Sequence, residues 1–268
     1  GILDFLRFGT DDHSKYLLDK AVEGISYYGN CVGVANLGGD LYLHPSYNYN
    51  PLVNIGALGI VKKNKIIYGN VLGENRLLIY VGGKTGTEGI NGAAMASNIF
   101  DNNAKNLKDN VQKSDPFLEK LLIEACCEIS EKNLVEGMQD MGAGGLLCAS
   151  LEVINRGNKK RNNMDLGCNI NLDKVPTKCD MEYSNILISE SQERMLILAK
   201  KDNIDEIFEI FKRWELEFAI IGETNLSAQY KVFFKDKLLY SEEICNLESK
   251  EDYTIIPFKN QILKKESS

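Results

Sequence analysis

The feature that most constrains the fold is a glycine-rich segment placed directly after a short apolar run. Leu77 to Val81 has the composition of a buried strand, and Gly82 to Gly92 follows it at once. The segment lacks the G-x-x-x-x-G-K-[ST] spacing of a P-loop and the acidic partner of a dinucleotide fingerprint. Backbone N–H groups of such a loop can approach an anion, with Lys84 as an added charge. Equally, the glycines can serve a tight connection that needs positive φ angles. Both interpretations remain open at this point.

A second glycine-rich turn, Gln139 to Gly145, precedes a helix of small and apolar residues that is predicted to reach about Ile154. Asp140 stands at its start. A carboxylate there suits Mg²⁺, which prefers one or two carboxylates together with water and substrate phosphates. The commoner role of such an aspartate is to cap the helix.

The first 74 residues predict an α+β unit with an antiparallel sheet. Ser14 is expected to cap a helix that runs to about Tyr28. Three strand-like runs follow, with Gly38-Gly39 as a tight turn between the first two: Cys31 to Leu37, Asp40 to Leu43 and Leu52 to Val61.

Downstream, Asp115-Pro116 predicts the strongest helix start, because an N-cap acceptor precedes proline at the first helical position. Residues 158–163 predict a basic loop. The polar run Glu190-Ser191-Gln192-Glu193 lies before a predicted strand from Arg194 to Ala199. Such a run marks either a site or a solvated turn.

Composition excludes several classes of protein. The 268 residues are 44% hydrophobic and 26% charged, which argues against a disordered chain, and no apolar run has the length to cross a bilayer. A net charge of -7 argues against nucleic acid as a partner. The seven cysteines form no C-x-x-C motif, so neither a zinc site nor a disulfide scaffold is expected. The expected location is a reducing cytoplasm. His44 is interpreted as a surface or packing residue.

Taken together, the motifs resemble phosphoribosylformylglycinamidine synthase, its large (synthetase) subunit. They occur in the family's order from about residue 3 to residue 245. The matching runs are Tyr28-Gly29-Asn30-Cys31-Val32-Gly33, Gly38-Gly39 through His44-Pro45-Ser46-Tyr47, Asn50-Pro51-Leu52-Val53-Asn54, Gly82-Gly83-Lys84-Thr85-Gly86 with Glu88-Gly89-Ile90, Asp115-Pro116-Phe117, Gln139-Asp140-Met141-Gly142-Ala143-Gly144-Gly145 and Leu187 through Ser191-Gln192-Glu193-Arg194-Met195.

The resemblance implies an ATP-dependent carbon–nitrogen ligase of purine biosynthesis. Formylglycinamide ribonucleotide, ATP and glutamine-derived ammonia would give formylglycinamidine ribonucleotide, ADP and phosphate. Phosphorylation of the amide oxygen comes first, because that oxygen is otherwise a poor leaving group, and Mg²⁺ offsets the developing charge. A glutaminase subunit and a small bridging subunit would be partners.

Residue by residue, the resemblance implies that Asp140 binds Mg²⁺ and that Gln112, Glu190, Ser191 and Gln192 contact the substrate. It also suggests a phosphate loop formed by Gly82, Gly83, Lys84, Thr85 and Gly86. Neither His13 nor His44 aligns with the family's catalytic histidine, and the ATP contacts lie upstream of the match. The expectation is therefore an internal fragment with no catalytic residue in this chain, inactive alone.

The implied fold is α+β: residues 1–74 as the remnant of a ferredoxin-like half-domain, 75–250 as an α/β domain of the aminoimidazole ribonucleotide synthetase C-terminal type, and 251–268 as a poorly patterned tail. An exposed sheet edge within residues 30–62 invites a homodimer. The alternatives are another synthetase of the same superfamily and a non-catalytic scaffold that binds a nucleotide or a partner.

Overall fold

The computed structural model describes residues 1–90 and 111–247. Asn91 and Gly92 of the first glycine segment and the tail 251–268 lie outside them. The strands are β1 (Ile2–Phe8), β2 (Asn36–Leu43), β3 (Leu52–Ala57), β4 (Arg76–Gly82), β5 (Val135–Asp140), β6 (Gly167–Asn171), β7 (Arg194–Lys200), β8 (Glu217–Asn225), β9 (Gln229–Phe234) and β10 (Lys237–Glu243). The helices are α1 (Asp12–Val32), α2 (Pro116–Lys132), α3 (Gly145–Arg161), α4 (Tyr183–Ile188), α5 (Ile204–Arg213) and α6 (Ile244–Leu247).

The first unit is a three-stranded sheet in the order β2-β1-β3, with α1 connecting β1 to β2. Strand β1 pairs in parallel with β2 and antiparallel with β3. The predicted turn at Gly38-Gly39 is wrong, because both residues lie inside β2. Glycine is needed at 39 for close packing: a Cβ there would lie 1.9 Å from the carbonyl oxygen of Asp4.

Helix α1 is longer than predicted. Asp11, not Ser14, caps its start by accepting the Ser14 N–H at 2.7 Å. The helix continues through Cys31, which was predicted to be in a strand, and ends at Gly33, whose φ of 76° is the left-handed conformation of a helix end.

The second unit is a seven-stranded sheet in the order β10-β9-β6-β8-β4-β7-β5. Its neighbours pair antiparallel except β6 and β9, which are parallel. Strand β4 is buried on both faces, as its apolar sequence predicts. Leu78 and Tyr80 face the core that includes α3, whereas Ile79 and Val81 face the core beneath α2 and α5.

The start of α2 and the end of α3 can be compared with the sequence predictions. The start of α2 is confirmed: Asp115 accepts the Leu118 N–H at 3.0 Å, and Pro116 is the first helical residue. The basic loop predicted for 158–163 is wrong, since α3 runs to Arg161. Basic side chains in its last turn interact favourably with the helix dipole. The buried Asn158 side chain donates to the Leu166 carbonyl and accepts the Leu166 N–H.

None of the helices in the described ranges is both long and apolar enough to span a membrane.

Candidate functional site

Three segments of the larger sheet meet at one edge because their strands are neighbours. Strand β7 lies between β4 and β5 and runs antiparallel to both, so the ends of β4 and β5 meet its start. The register pairs Gly82 with Arg194 and Asp140 with Met195. The first glycine segment, the second glycine turn and residues 189–193 are thereby brought together.

The segment before β7 is buried, so it is not a solvated turn. Glu190 and Ser191 are each 3% exposed. The Glu190 carboxylate accepts the Gln112 side-chain N–H at 2.8 Å through Oε2 and the Gly144 backbone N–H at 3.1 Å through Oε1. Two residues separated by 78 positions, both expected to contact substrate, therefore touch at the start of α3.

Ser191 and Gln192 continue this cluster. The Ser191 hydroxyl accepts the Gly86 N–H at 2.9 Å and donates to Glu88 Oε2 at 3.0 Å. The Gln192 side chain folds back to donate to the Glu190 carbonyl at 2.6 Å. The triplet 190–192 is thus fixed to the first glycine segment on one side and to the second on the other.

Three described N–H groups of the first glycine segment are bound to acceptors in neighbouring segments. The N–H groups of Gly83, Thr85 and Gly86 bind the Glu193 carbonyl, the Pro176 carbonyl and the Ser191 hydroxyl. Gly82 has a φ of 114°, and a Cβ there would lie 2.2 Å from the Glu193 carbonyl oxygen. These glycines serve a close backbone approach, and three of their segment's N–H groups already have acceptors. The phosphate role of this loop stays a prediction.

The Lys84 ammonium pairs with a carboxylate at the start of β8. Its Nζ lies 3.0 Å from Glu217 Oε1 in a half-exposed ion pair.

Asp140 does not cap the helix that follows. The N-cap of α3 is Gly144, which has no capping side chain, and its N–H is taken by Glu190. Asp140 ends β5, is exposed and accepts the Gln139 side-chain N–H at 3.0 Å. In the described residues no group of three His, Cys, Asp or Glu side chains is placed to hold a metal. A single open carboxylate fits Mg²⁺, which keeps water and substrate phosphates as its other ligands.

A cavity of about 200 Å³ joins Asp140 to Gln192 of the triplet. Gln192 and Glu193 line it from the segment before β7, Glu119 from α2, and Tyr28 from α1 of the other unit. The Tyr28 hydroxyl donates to Glu193 Oε1 at 3.1 Å, and the same oxygen accepts the Asp115 N–H at 3.0 Å. The smaller unit therefore contributes to the wall of the site.

The chain matches the family described as AIR synthase related protein, C-terminal domain, over residues 73–235, and the corresponding N-terminal domain over residues 1–61. The chain belongs to this family. The predicted fold class is confirmed by both matches and by the solved relatives.

Individual relatives of the family agree with the predicted resemblance. Phosphoribosylformylglycinamidine synthase subunit PurL of Campylobacter jejuni (strain RM1221) is 42% identical over 244 residues, covering 88% of this chain and 33% of that protein. The subunit of Campylobacter curvus is 44% identical over 245 residues, with 88% and 33% covered. The chain spans about a third of the length of these curated relatives.

A solved structure of a PurL relative agrees with these matches. PurL of Thermotoga maritima complexed with FGAR matches with a TM-score of 0.83 at 37% identity, over 92% of this chain and 39% of that one. HypE of Escherichia coli, at 12% identity and a TM-score of 0.63, shows the fold alone.

Sequence reasoning gave no role to Tyr28, Glu88, Glu119 or Glu193, which the structure places at the site. Tyr28, Glu88 and Glu193 lie inside the runs that match the family, and Glu193 directly follows the triplet, so membership of those runs was a usable signal. Tyr28 reaches the site only because α1 packs across the start of α2, and no local pattern reports that contact.

The half-buried carboxyl of Glu119 gives a testable pH dependence. Burial, and then the charges of Glu193 and Asp140, raise the pKa of Glu119 above its usual 4.5. The folded state then binds this proton more tightly than the unfolded state, so the charged form costs stability as pH rises from about 4.5 through the raised value. Glu119→Gln should therefore raise the free energy of unfolding at pH 7–8 and have little effect below about pH 4.

Urea unfolding at several pH values measures this difference. Glu124→Gln is the control, because Glu124 on the same helix pairs with Lys120 and its loss should not stabilise the fold. A Glu119→Gln variant that is no more stable than the parent at pH 8 would contradict the interpretation.

Proposed function

We propose that this chain forms part of the ribonucleotide site of an ATP-dependent ligase that makes formylglycinamidine ribonucleotide from formylglycinamide ribonucleotide, ATP and ammonia. The observation that carries the proposal is the contact of Gln112 with Glu190 at the start of α3, beside Ser191 and Gln192. It is supported by the Thermotoga maritima relative, whose structures are described as complexes with FGAR and with ATP.

In this proposal the chain binds and orients the substrate. The amide groups of Gln112 and Gln192 offer donors and acceptors for a formamide and a ribose, and Glu190 sets the position of Gln112. Holding the reacting amide in one orientation lowers the entropic part of the barrier. The buried Ser189 and Ser191 keep the site floor rigid through the bond between their hydroxyls at 3.1 Å.

Asp140 would hold Mg²⁺ at the mouth of the cavity. The ion would offset negative charge on the ATP phosphates during phosphoryl transfer. Residues beyond these 268 would supply the ATP contacts and the proton chemistry, so we expect the chain alone to bind substrate and not to turn it over. Detection of ATP- and ammonia-dependent product from the purified chain would contradict that expectation.

The direct test of this function is calorimetric titration of the chain with formylglycinamide ribonucleotide. Saturable one-site binding that ribose 5-phosphate does not reproduce would support the proposal. Absence of binding at millimolar ligand, or equal binding of ribose 5-phosphate, would overturn it.

Asp140→Asn is expected to abolish Mg²⁺ binding to the ribonucleotide-bound chain while leaving the fold intact. The amide keeps the size of the side chain and removes the charge that a hard cation needs. Titration of Mg²⁺ into the parent and the variant, each saturated with formylglycinamide ribonucleotide, measures this, and Asp165→Asn, which breaks an ion pair with Arg161 beyond the end of α3, is the control. Unchanged Mg²⁺ binding in Asp140→Asn would remove Asp140 from the metal site.

The proposed partners are a glutaminase subunit and a small bridging subunit, acting in the cytoplasm. The Thermotoga maritima relative has a structure described as PurLQS, which supports assembly with other subunits.

We also propose a homodimer through the small sheet. Its apolar side chains are unusually exposed, and β2 and β3 leave two free edges; the exposed set includes Leu37, Leu41, Leu43, Leu52, Val53 and Ile55. Exposed patches of this kind mark interaction surfaces. Leu41→Lys should shift the chain from dimer to monomer in sedimentation experiments, whereas Leu239→Lys on β10 should not. A parent chain that is monomeric at all concentrations would contradict the dimer.

A further inference from the structure

Arg194, the first residue of β7, lies beneath the site and is only 3% exposed. Within the described residues its guanidinium makes four hydrogen bonds, all to neutral oxygen atoms. Nε donates to the Ser191 carbonyl at 2.6 Å and Nη1 to the Thr85 hydroxyl at 2.9 Å. Nη2 donates to the Ser189 carbonyl at 2.6 Å and to the Met141 carbonyl at 3.4 Å.

These oxygens belong to the three segments that carry the predicted binding residues. Ser189 and Ser191 flank Glu190, Met141 directly follows Asp140, and Thr85 lies in the first glycine segment. Thr85 is also held from the other side, because its hydroxyl lies 3.0 Å from the Tyr80 hydroxyl. One planar cation therefore fixes the spacing of the substrate triplet, the metal carboxylate and the glycine segment.

Burial of this charge is costly, which indicates that the arrangement is specific. Desolvation lowers the pKa of Arg194, yet an arginine remains protonated in proteins. A guanidinium presents its donors in a rigid fork, which suits several carbonyls in one plane, whereas an ammonium is a compact charge with three donors. Neither lysine nor an apolar residue can reproduce all four bonds.

We propose that Arg194 is a positioning residue of the ribonucleotide site, holding the segments of Thr85, Met141 and Ser189–Ser191 in register. This inference rests on the proposed function for its ligand and on the hydrogen-bond geometry for its mechanism. Its loss should weaken substrate binding without removing any group that touches the substrate.

The test compares Arg194→Met and Arg194→Lys with Arg76→Met. Arg76 is a matched control, since it is an ion-paired arginine at the opposite end of the β4–β7 ladder, about 20 Å away. Titration with formylglycinamide ribonucleotide is combined with hydrogen–deuterium exchange of peptides from 82–90, 139–146 and 186–193, with 204–213 as an internal reference.

We expect Arg194→Met to weaken binding at least about tenfold, or ~1.4 kcal/mol, and to speed exchange in those three peptides alone. The affinity and the exchange rates of Arg194→Lys should lie between those of the parent and of Arg194→Met, because an ammonium restores part of the hydrogen bonding. A role in packing alone predicts the reverse order, since methionine fills an apolar space better than lysine. Should Arg194→Met fail to fold, Arg194→Lys and Thr85→Val are compared with the parent and with Arg76→Met instead.

The outcomes separate the two proposals. Parent-like binding by Arg194→Met, or a loss matched by Arg76→Met, would overturn the role of Arg194 and leave the function standing. If the parent itself does not bind the ribonucleotide, the proposed function fails. In that case hydrogen–deuterium exchange alone tests the role of Arg194. Faster exchange of Arg194→Met confined to the three peptides supports the positioning role, and exchange equal to that of the parent overturns it.

Discussion

Replacing Gly145 by alanine is expected to lower the free energy of unfolding by about 2–5 kcal/mol, the sum of a left-handed backbone penalty and a packing clash. Gly145 has a φ of 57°, and a Cβ there would lie 2.2 Å from the Ser189 carbonyl oxygen. That carbonyl also accepts from Arg194, so it cannot withdraw without breaking a buried bond. The start of α3 and the substrate triplet would be forced apart.

Gly33→Ala is the control that separates the packing clash at Gly145 from the penalty of a left-handed backbone. Gly33 has a φ of 76°, and nothing lies within 4 Å of its would-be Cβ. Chemical denaturation should therefore show a smaller loss for Gly33→Ala, and ribonucleotide affinity should fall for Gly145→Ala only. Equal losses of stability in the two variants would show that the second glycine turn is not packed tightly against the triplet.

Glu190→Ala is expected to weaken binding of formylglycinamide ribonucleotide about 100-fold or more. The carboxylate joins Gln112 to the Gly144 N–H, and hydrogen bonds to charged groups are each worth roughly 1.5–3 kcal/mol. In the proposed site, the Gln112 amide would then lose the group that orients it toward the ribonucleotide. Calorimetric titration measures the loss directly.

Glu190→Gln is the matched control for size. It keeps one acceptor oxygen and the shape of the side chain, so its loss of affinity should be clearly smaller than that of alanine. Gln112→Ala in the Glu190→Ala background should add little, because both act through one contact. Additive losses would mean that the two residues bind the ligand independently.

Local chemistry in the sequence predicted the parts of the fold that depend on neighbours along the chain. The start of α2 follows from Asp115-Pro116, since a cap and a proline act within one turn. Strand β4 follows from five consecutive apolar residues, which suit a strand covered on both faces.

Pairing between distant segments was not predictable in the same way. Strand β2 contains Gly38 and Gly39 and resembles a turn, yet it is held by parallel pairing with β1. Strand β5 includes a glycine and two acidic residues, and it becomes a strand through its ladder with β7. Tertiary context overrides weak β-propensity in both cases.

The candidate site shows the same difference between features visible locally in the sequence and contacts between distant segments. The types of its residues and the two glycine segments are visible in sequence, and the resemblance selected Gln112, Asp140 and the triplet. The contact of Gln112 with Glu190 spans 78 positions and depends on the order β4-β7-β5. The buried bonds of Arg194 and the approach of Tyr28 from the smaller unit depend on that packing as well.

We propose that Gln112, Glu190–Gln192 and Asp140 form one ribonucleotide site. A ¹H–¹⁵N NMR titration of the 268-residue chain with formylglycinamide ribonucleotide and Mg²⁺ would test this arrangement. We predict saturable shifts at the Gln112 side-chain amide and at the backbone N–H groups of Asp140, Gly144, Ser191 and Gln192. Saturable shifts confined to other surfaces, such as the basic end of α3 at Lys159–Arg161, or no saturable shift at all, would contradict the claim.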